Sequence, residues 1–233
     1  MPQTELHLRA IVSLTRRTQR YPWRMASTSA NWSQFRLGAF GEPYLIWHDG
    51  PDYTTCDELW NTDPLFVEGA LLDGLEQRDP LAAQAAARLP LSPESRSRFV
   101  DRLVQHLGDQ PVGFHLRVAE ALHQLTGDED WSREVLRVLL GAGYWNDRLD
   151  AAIALAAFVP TERIVDALAS CVQDPDYLVR YHASNTLLSY AGLQPDVTGH
   201  EQVFALIRST STPEDRSRAA AGLAGAVRSV IGG

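Results

Sequence analysis

The chain contains no lysine: all 21 of its basic residues are arginine. That excludes Schiff-base catalysis through lysine and the lysine of a phosphate-binding loop. Cysteine is almost as scarce. Cys56 and Cys171 stand alone and far apart, which excludes a disulfide framework and points to a reducing compartment. No apolar run approaches the roughly 18 residues of a membrane helix. The first twenty residues alternate apolar and charged side chains, so they lack the apolar core of a signal peptide. The expectation is a soluble, cytoplasmic protein with no membrane segment.

Motifs for chemistry are missing too. There is no Gly-x-Ser-x-Gly, no Gly-x-Gly-x-x-Gly and no phosphate-loop pattern. The seven histidines form no His-x-x-x-His or His-Glu-x-x-His pair. His48, Asp49 and Cys56 offer at most three ligands at unremarkable spacing, so no metal is expected. The reading is therefore of a non-enzyme, with no catalytic residue, cofactor or metal. Positive charge is also in deficit. With 29 acidic residues the net charge is −8, which repels nucleic acid and attracts basic partners, or simply maintains solubility.

What the chain does have falls into two parts, residues 1–62 and 63–233. In the first, Leu6, Leu8, Ile11, Val12 and Leu14 give one amphipathic helix, ended by Pro22. Residues 21–62 then hold four of the six tryptophans, with Phe35, Phe40, Tyr44 and Tyr53. Gly38, Gly41, Pro43, Gly50 and Pro51 break this stretch, so an irregular segment is expected, with Tyr44–Trp47 a short strand or an extended segment. These aromatics either cap the end of the helical array or form a binding surface.

From Pro64 the texture is uniform. Pro64–Leu89, Pro93–Leu125, Trp131–Phe158, Thr161–Tyr190 and His200–Val230 each read as two apolar-periodic helices around a polar break. Asp79-Pro80 and Asp174-Pro175 both suit an N-cap followed by proline at the first helical position. The second helices align on Leu89, Leu122, Leu155, Leu187 and Leu223. Four residues earlier stand Ala85, Val118, Ala151, Ala183 and Ala219. A small residue one turn before a leucine lets a neighbouring helix approach closely. A period of 30-odd residues with two helices per copy marks a helical solenoid.

Asp-Pro-Asp-x-x-Val-Arg-x-x-Ala at Asp174–Ala183 resembles the second-helix signature of HEAT repeats. Arg148-Leu-Asp-Ala151 and Arg216-Ser-Arg-Ala219 echo it, whereas Ala82 and His115 stand where that family has arginine. The resemblance covers roughly residues 64–230. It implies an all-α, right-handed solenoid of about five helix-turn-helix repeats, with a concave wall of second helices. It implies no single activity. In such arrays the arginines of this position pair with acids of a neighbouring helix, here Asp147, Asp174 or Asp176; alternatively they line the wall and meet a ligand.

The function expected is a protein-interaction scaffold or adaptor, of the bacterial immunity or inhibitor kind, meeting a mixed-charge or basic protein. Candidate binding residues are Trp47, His48, Asp49 and Tyr53 in the aromatic segment and His115, Arg148, Arg180 and His182 on the second helices. Two alternatives draw on other HEAT-like arrays. One resembles the alkylpurine DNA glycosylases and needs a basic stripe, for which Arg96, Arg98, Arg102, Arg117, Arg133, Arg137 and Arg148 are available. The other resembles bilin lyases, and no motif supports a tetrapyrrole.

Overall fold

Ala85, Val118, Ala151, Ala183 and Ala219 are all buried, and so are Leu89, Leu122, Leu155, Leu187 and Leu223. The two register positions shared by the five segments are thus core positions throughout. The computed structural model describes residues 31–44, 46, 50–108 and 111–232. The helix expected before residue 21 lies outside them.

The described residues include twelve α-helices and no strand. They are α1 (Trp32–Phe40), α2 (Thr54–Thr62), α3 (Pro64–Glu76), α4 (Pro80–Arg88), α5 (Pro93–Gln105) and α6 (Val112–Thr126), then α7 (Ser132–Gly141), α8 (Trp145–Ala154), α9 (Glu162–Cys171), α10 (Tyr177–Tyr190), α11 (Glu201–Ile207) and α12 (Pro213–Ile231). Each of the five segments resolves into two helices, and within each unit helices pack on their neighbours in a solenoid-like manner. The chain divides into two compact units, Met1–Arg102 and Leu103–Gly233, so the 62/63 junction falls inside the first.

In the first unit α1 packs on α2 and α3, and α3 on α4. Asp63 and Asp79 cap α3 and α4, each followed by proline, as expected for Asp79-Pro80. The aromatic stretch is more regular than its glycines suggest. Asn31 caps α1, accepting from the N–H groups of Ser33 and Gln34, and Gly41 ends it at a φ of 88° that favours glycine. Between these stops the helix buries Trp32, Phe35 and Phe40 on one face. Where a strand or extended segment is expected at Tyr44–Trp47, the described residues 43, 44 and 46 are helical instead, with the Ile46 N–H donating to Glu42 O. Pro43 suits the first turn of a helix, where its missing N–H costs nothing.

In the second unit α8 packs against α6, α7 and α10, and α10 against α9 and α12, giving a layer of second helices beside α7 and α9. The last pair departs from this pattern. The 19-residue α12 packs on α9 as well as on α10 and α11. The core joins these elements through Leu116, Leu136, Leu155, Leu168, Leu187 and Leu223.

α10 begins later than its sequence suggests. Its cap is Asp176, which accepts from the Leu178 N–H, not Asp174. The Asp174 carboxylate is engaged elsewhere: it accepts from the Asp176 N–H at 2.8 Å and holds Arg148. The Arg180 guanidinium fixes the same turn by donating to the carbonyls of Asp174 and Pro175, both at 2.8 Å.

Candidate interaction surface on the second helices

Two rows of side chains run along the second helices of the second unit. The inward row, three residues before the small core position, holds His115, Arg148, Arg180 and Arg216. Arg148 forms a two-pronged pair with Asp174, Nε to Oδ2 at 2.7 Å and Nη2 to Oδ1 at 3.1 Å. Its Nη1 donates to the carbonyls of Ala142 and Gly143. Such geometry is the strong form of an arginine–carboxylate pair. Arg180 is 2% exposed, and its Nε and Nη2 reach the Ile207 and Arg208 carbonyls. Burial and the neighbouring Arg216 draw its pKa below the usual arginine value. Both arginines therefore tie helices and turns together.

His115 replaces arginine in this row and is buried. Its Nε2 lies 3.2 Å from Glu134 Oε2 and 3.1 Å from Arg137 Nη2, while Nδ1 has no hydrogen-bond partner among the described residues. Burial, then Arg137, lower its pKa against the opposing pull of Glu134.

The outward row, one residue before the small core position, holds Arg117, Asp150, His182 and Arg218. Arg117 pairs with Glu120 at 2.6 Å and Arg218 with Asp215 at 2.5 Å, each within its own helix. Asp150 is half-buried, and its carboxylate makes no hydrogen bond or ion pair with any described residue. Burial raises its pKa; Arg117 opposes the rise and Asp147 adds to it. Burial also raises the Glu120 pKa, against Arg117 and with a contribution from Asp150. His182 is half-buried beside Tyr181, ring centroids 5.2 Å apart; burial lowers its pKa, opposed by Asp150. Around this row Trp145 is 45% exposed, Leu178 42% and Ile153 38%, with Leu149 and Tyr181 partly buried.

No protein-family model, curated protein or solved structure matches this chain.

The candidate residues divide accordingly. Trp47, His48 and Asp49 lie outside the described residues. Tyr53 belongs to the first unit, where it meets the Phe40 ring edge-on at 5.7 Å and lies under the Arg88 guanidinium at 4.3 Å. His115, Arg148 and Arg180 sit in the inward row; of the eight, His182 alone is in the outward one. Sequence reading missed Asp150, Glu120, Trp145 and Leu178, and named Asp147 only as a partner for the repeat arginines. The signal was present in the repeat register, because Asp150 and His182 both precede an aligned alanine.

In the first unit a cavity of about 590 Å³ is lined by Trp60, Leu65, Pro90 and Arg98, among others. Buried Glu68 accepts from Ser95 Oγ at 2.7 Å and pairs with Arg98 at 2.7 Å. Its charges satisfy one another, so this cluster serves to staple α3 to α5. Among the described residues no group of three or more His, Cys, Asp or Glu is placed to hold a metal ion, and no helix is long and apolar enough to cross a membrane.

Proposed function

We propose that this chain is a non-enzymatic protein-interaction scaffold, and that its helix pairs are about five HEAT-like repeats of a right-handed solenoid. The common burial of both register positions in all five pairs supports the repeat reading. The docking surface is the outward face of α6, α8 and α10. The observation that carries this reading is the exposure of Trp145, Leu178 and Ile153 on adjoining helices α8 and α10. Aromatic and apolar side chains flanked by charge are the usual anchors of protein interfaces.

Arginine usage weighs against the nucleic-acid alternative. Arg98, Arg102, Arg117, Arg133, Arg137 and Arg148, six of the seven that could form a basic stripe, each carry an ion pair to a carboxylate. A phosphate would have to compete with the carboxylate already beside each guanidinium.

The test compares the purified chain with a Trp145→Ala/Leu178→Ala variant as baits in cell lysate. The expected result is a stoichiometric protein partner, identified by mass spectrometry, that the variant loses while keeping its melting temperature. Identical capture by both baits overturns the surface. Salt-sensitive binding to duplex DNA in an anisotropy titration overturns the function.

A further inference from the structure

Residues 1–30 and the rest of the first unit carry opposite charge. The segment before Asn31 holds Arg9, Arg16, Arg17, Arg20 and Arg24 against Glu5, five positive charges to one negative, a net +4. Residues 31–102 hold six arginines against twelve acidic residues, a net −6. The segment is apolar as well as basic, because Leu6, Leu8, Ile11, Val12 and Leu14 recur among its arginines. An apolar set spaced in this way is buried against another surface in a folded protein.

The first unit has a seat of matching character. The corner between α2 and α3 opens into the cavity of about 590 Å³, which has room for several aliphatic side chains. Trp60, Pro64, Leu65 and Pro90 make its apolar wall, and Leu65 is 75% exposed. Glu68 and Arg98 hold one another on the opposite side. Glu94 stands exposed at the rim; its own N–H and the Ser92 side chain hold its carboxyl below the usual range, so it is charged at neutral pH. Asp57, Glu58 and Asp63 add three more acids at the same corner of the chain.

We infer that the basic, apolar stretch Leu6–Arg20 of this same chain seats on the α2–α3 corner, with its aliphatic side chains in the cavity and its arginines among the surrounding carboxylates. The tether allows it. Residues 17–30 span up to about 45 Å when extended, whereas the 13-residue α3 runs about 20 Å. They join directly to α1, which packs on both α2 and α3. A segment held this close meets its seat at an effective concentration that a free partner rarely matches. The corner is thereby closed to basic segments of other proteins until the stretch is displaced.

The experiment places p-benzoylphenylalanine at Leu65 of the full chain, an exposed position that tolerates the exchange. Irradiated protein is cleaved at arginine and the linked peptides are identified by mass spectrometry. Mixing isotope-labelled and unlabelled chains separates links within one chain from links between copies. The expected product joins position 65 to the peptide of residues 10–16 in the same chain. Arg17→Glu/Arg20→Glu leaves that peptide intact and turns attraction into repulsion, so its yield falls about fivefold or more. Raising sodium chloride from about 0.05 M to about 0.5 M also lowers the yield, by screening. Ile11→Asp/Leu14→Asp abolishes the link while the far-ultraviolet spectrum holds. Links confined to residues 31–102 overturn the inference, as do links that run only to a second copy. A yield indifferent to both charge reversal and salt overturns it too. Flotation with phosphatidylserine vesicles tests a lipid surface as the rival cover. No flotation is expected, and flotation that Arg17→Glu/Arg20→Glu abolishes overturns the seat.

Discussion

Asp174 shows how one side chain can carry a junction between repeats. Its carboxylate takes both prongs of Arg148 from α8 and the N–H of Asp176, while its carbonyl accepts from Arg180 and, at 3.5 Å, Arg216. Asp174→Ala leaves the Arg148 guanidinium, itself largely buried, without its carboxylate. Breaking a pair of this kind costs roughly 3 kcal/mol, which urea unfolding would register. Asp150 predicts the opposite sign. Its pKa is raised in the folded state, so its contribution favours folding below the unfolded-state pKa and is lost as pH rises through the folded one. Asp150→Asn should therefore raise the melting temperature at pH 7, and the gain should shrink towards zero as pH falls into the carboxylate range. A gain that is constant with pH, or a loss at pH 7, would show that Asp150 is already partnered.

At the scale of elements, the first unit turns on a close approach of three helices. A Cβ at Gly74 of α3 would lie 2.6 Å from Trp32 Cδ2 on α1 and 2.7 Å from the Ala82 Cβ on α4. That crowding accounts for Ala82, which stands where the later copies carry arginine: the wall it faces is closed by Trp32. The nearby Asp79 instead receives the Trp32 indole N–H at 2.9 Å and Arg36 Nε at 2.8 Å, both from α1. Gly74→Ala should cost about 1–3 kcal/mol through overpacking, against the gain that alanine brings to an open helical site, and should redden the fluorescence of displaced Trp32. Leucines and alanines at a fixed spacing made the helix pairs legible in the sequence, because burial at a repeated position leaves a periodic mark. The start of α10 was not legible, because it depends on Arg148 reaching Asp174 from 26 residues away. The regularity of α1 was hidden for a related reason. Its glycines look like breaks until Trp32 and Phe35 find α3 to pack on. The outward row was hidden differently: Arg117, Asp150, His182 and Arg218 share a position but no chemistry, so no residue pattern announces it.

At the scale of the whole molecule, each unit contains one thiol suited to report on it. Cys56 in the first unit and Cys171 in the second are both buried, and burial pushes both thiols up to about 12, with Asp57 and Asp174 adding to the rise. Alkylation proceeds through the thiolate, and at pH 8 a thiol of that pKa is ionised in about one molecule in ten thousand. Neither cysteine should react appreciably with iodoacetamide in the native protein, and each should become reactive only when its own core opens. The measurement is peptide mass spectrometry after brief labelling across a urea series. Cys56 labelling is expected to follow the loss of the environment of Trp32 and Trp60, both buried in the first unit, and Cys171 labelling that of the leucine core of the second. Rapid labelling of Cys171 in buffer alone would contradict the packing of α9 against α10 and α12. Rapid labelling of Cys56 would contradict the seating of α2 on α3.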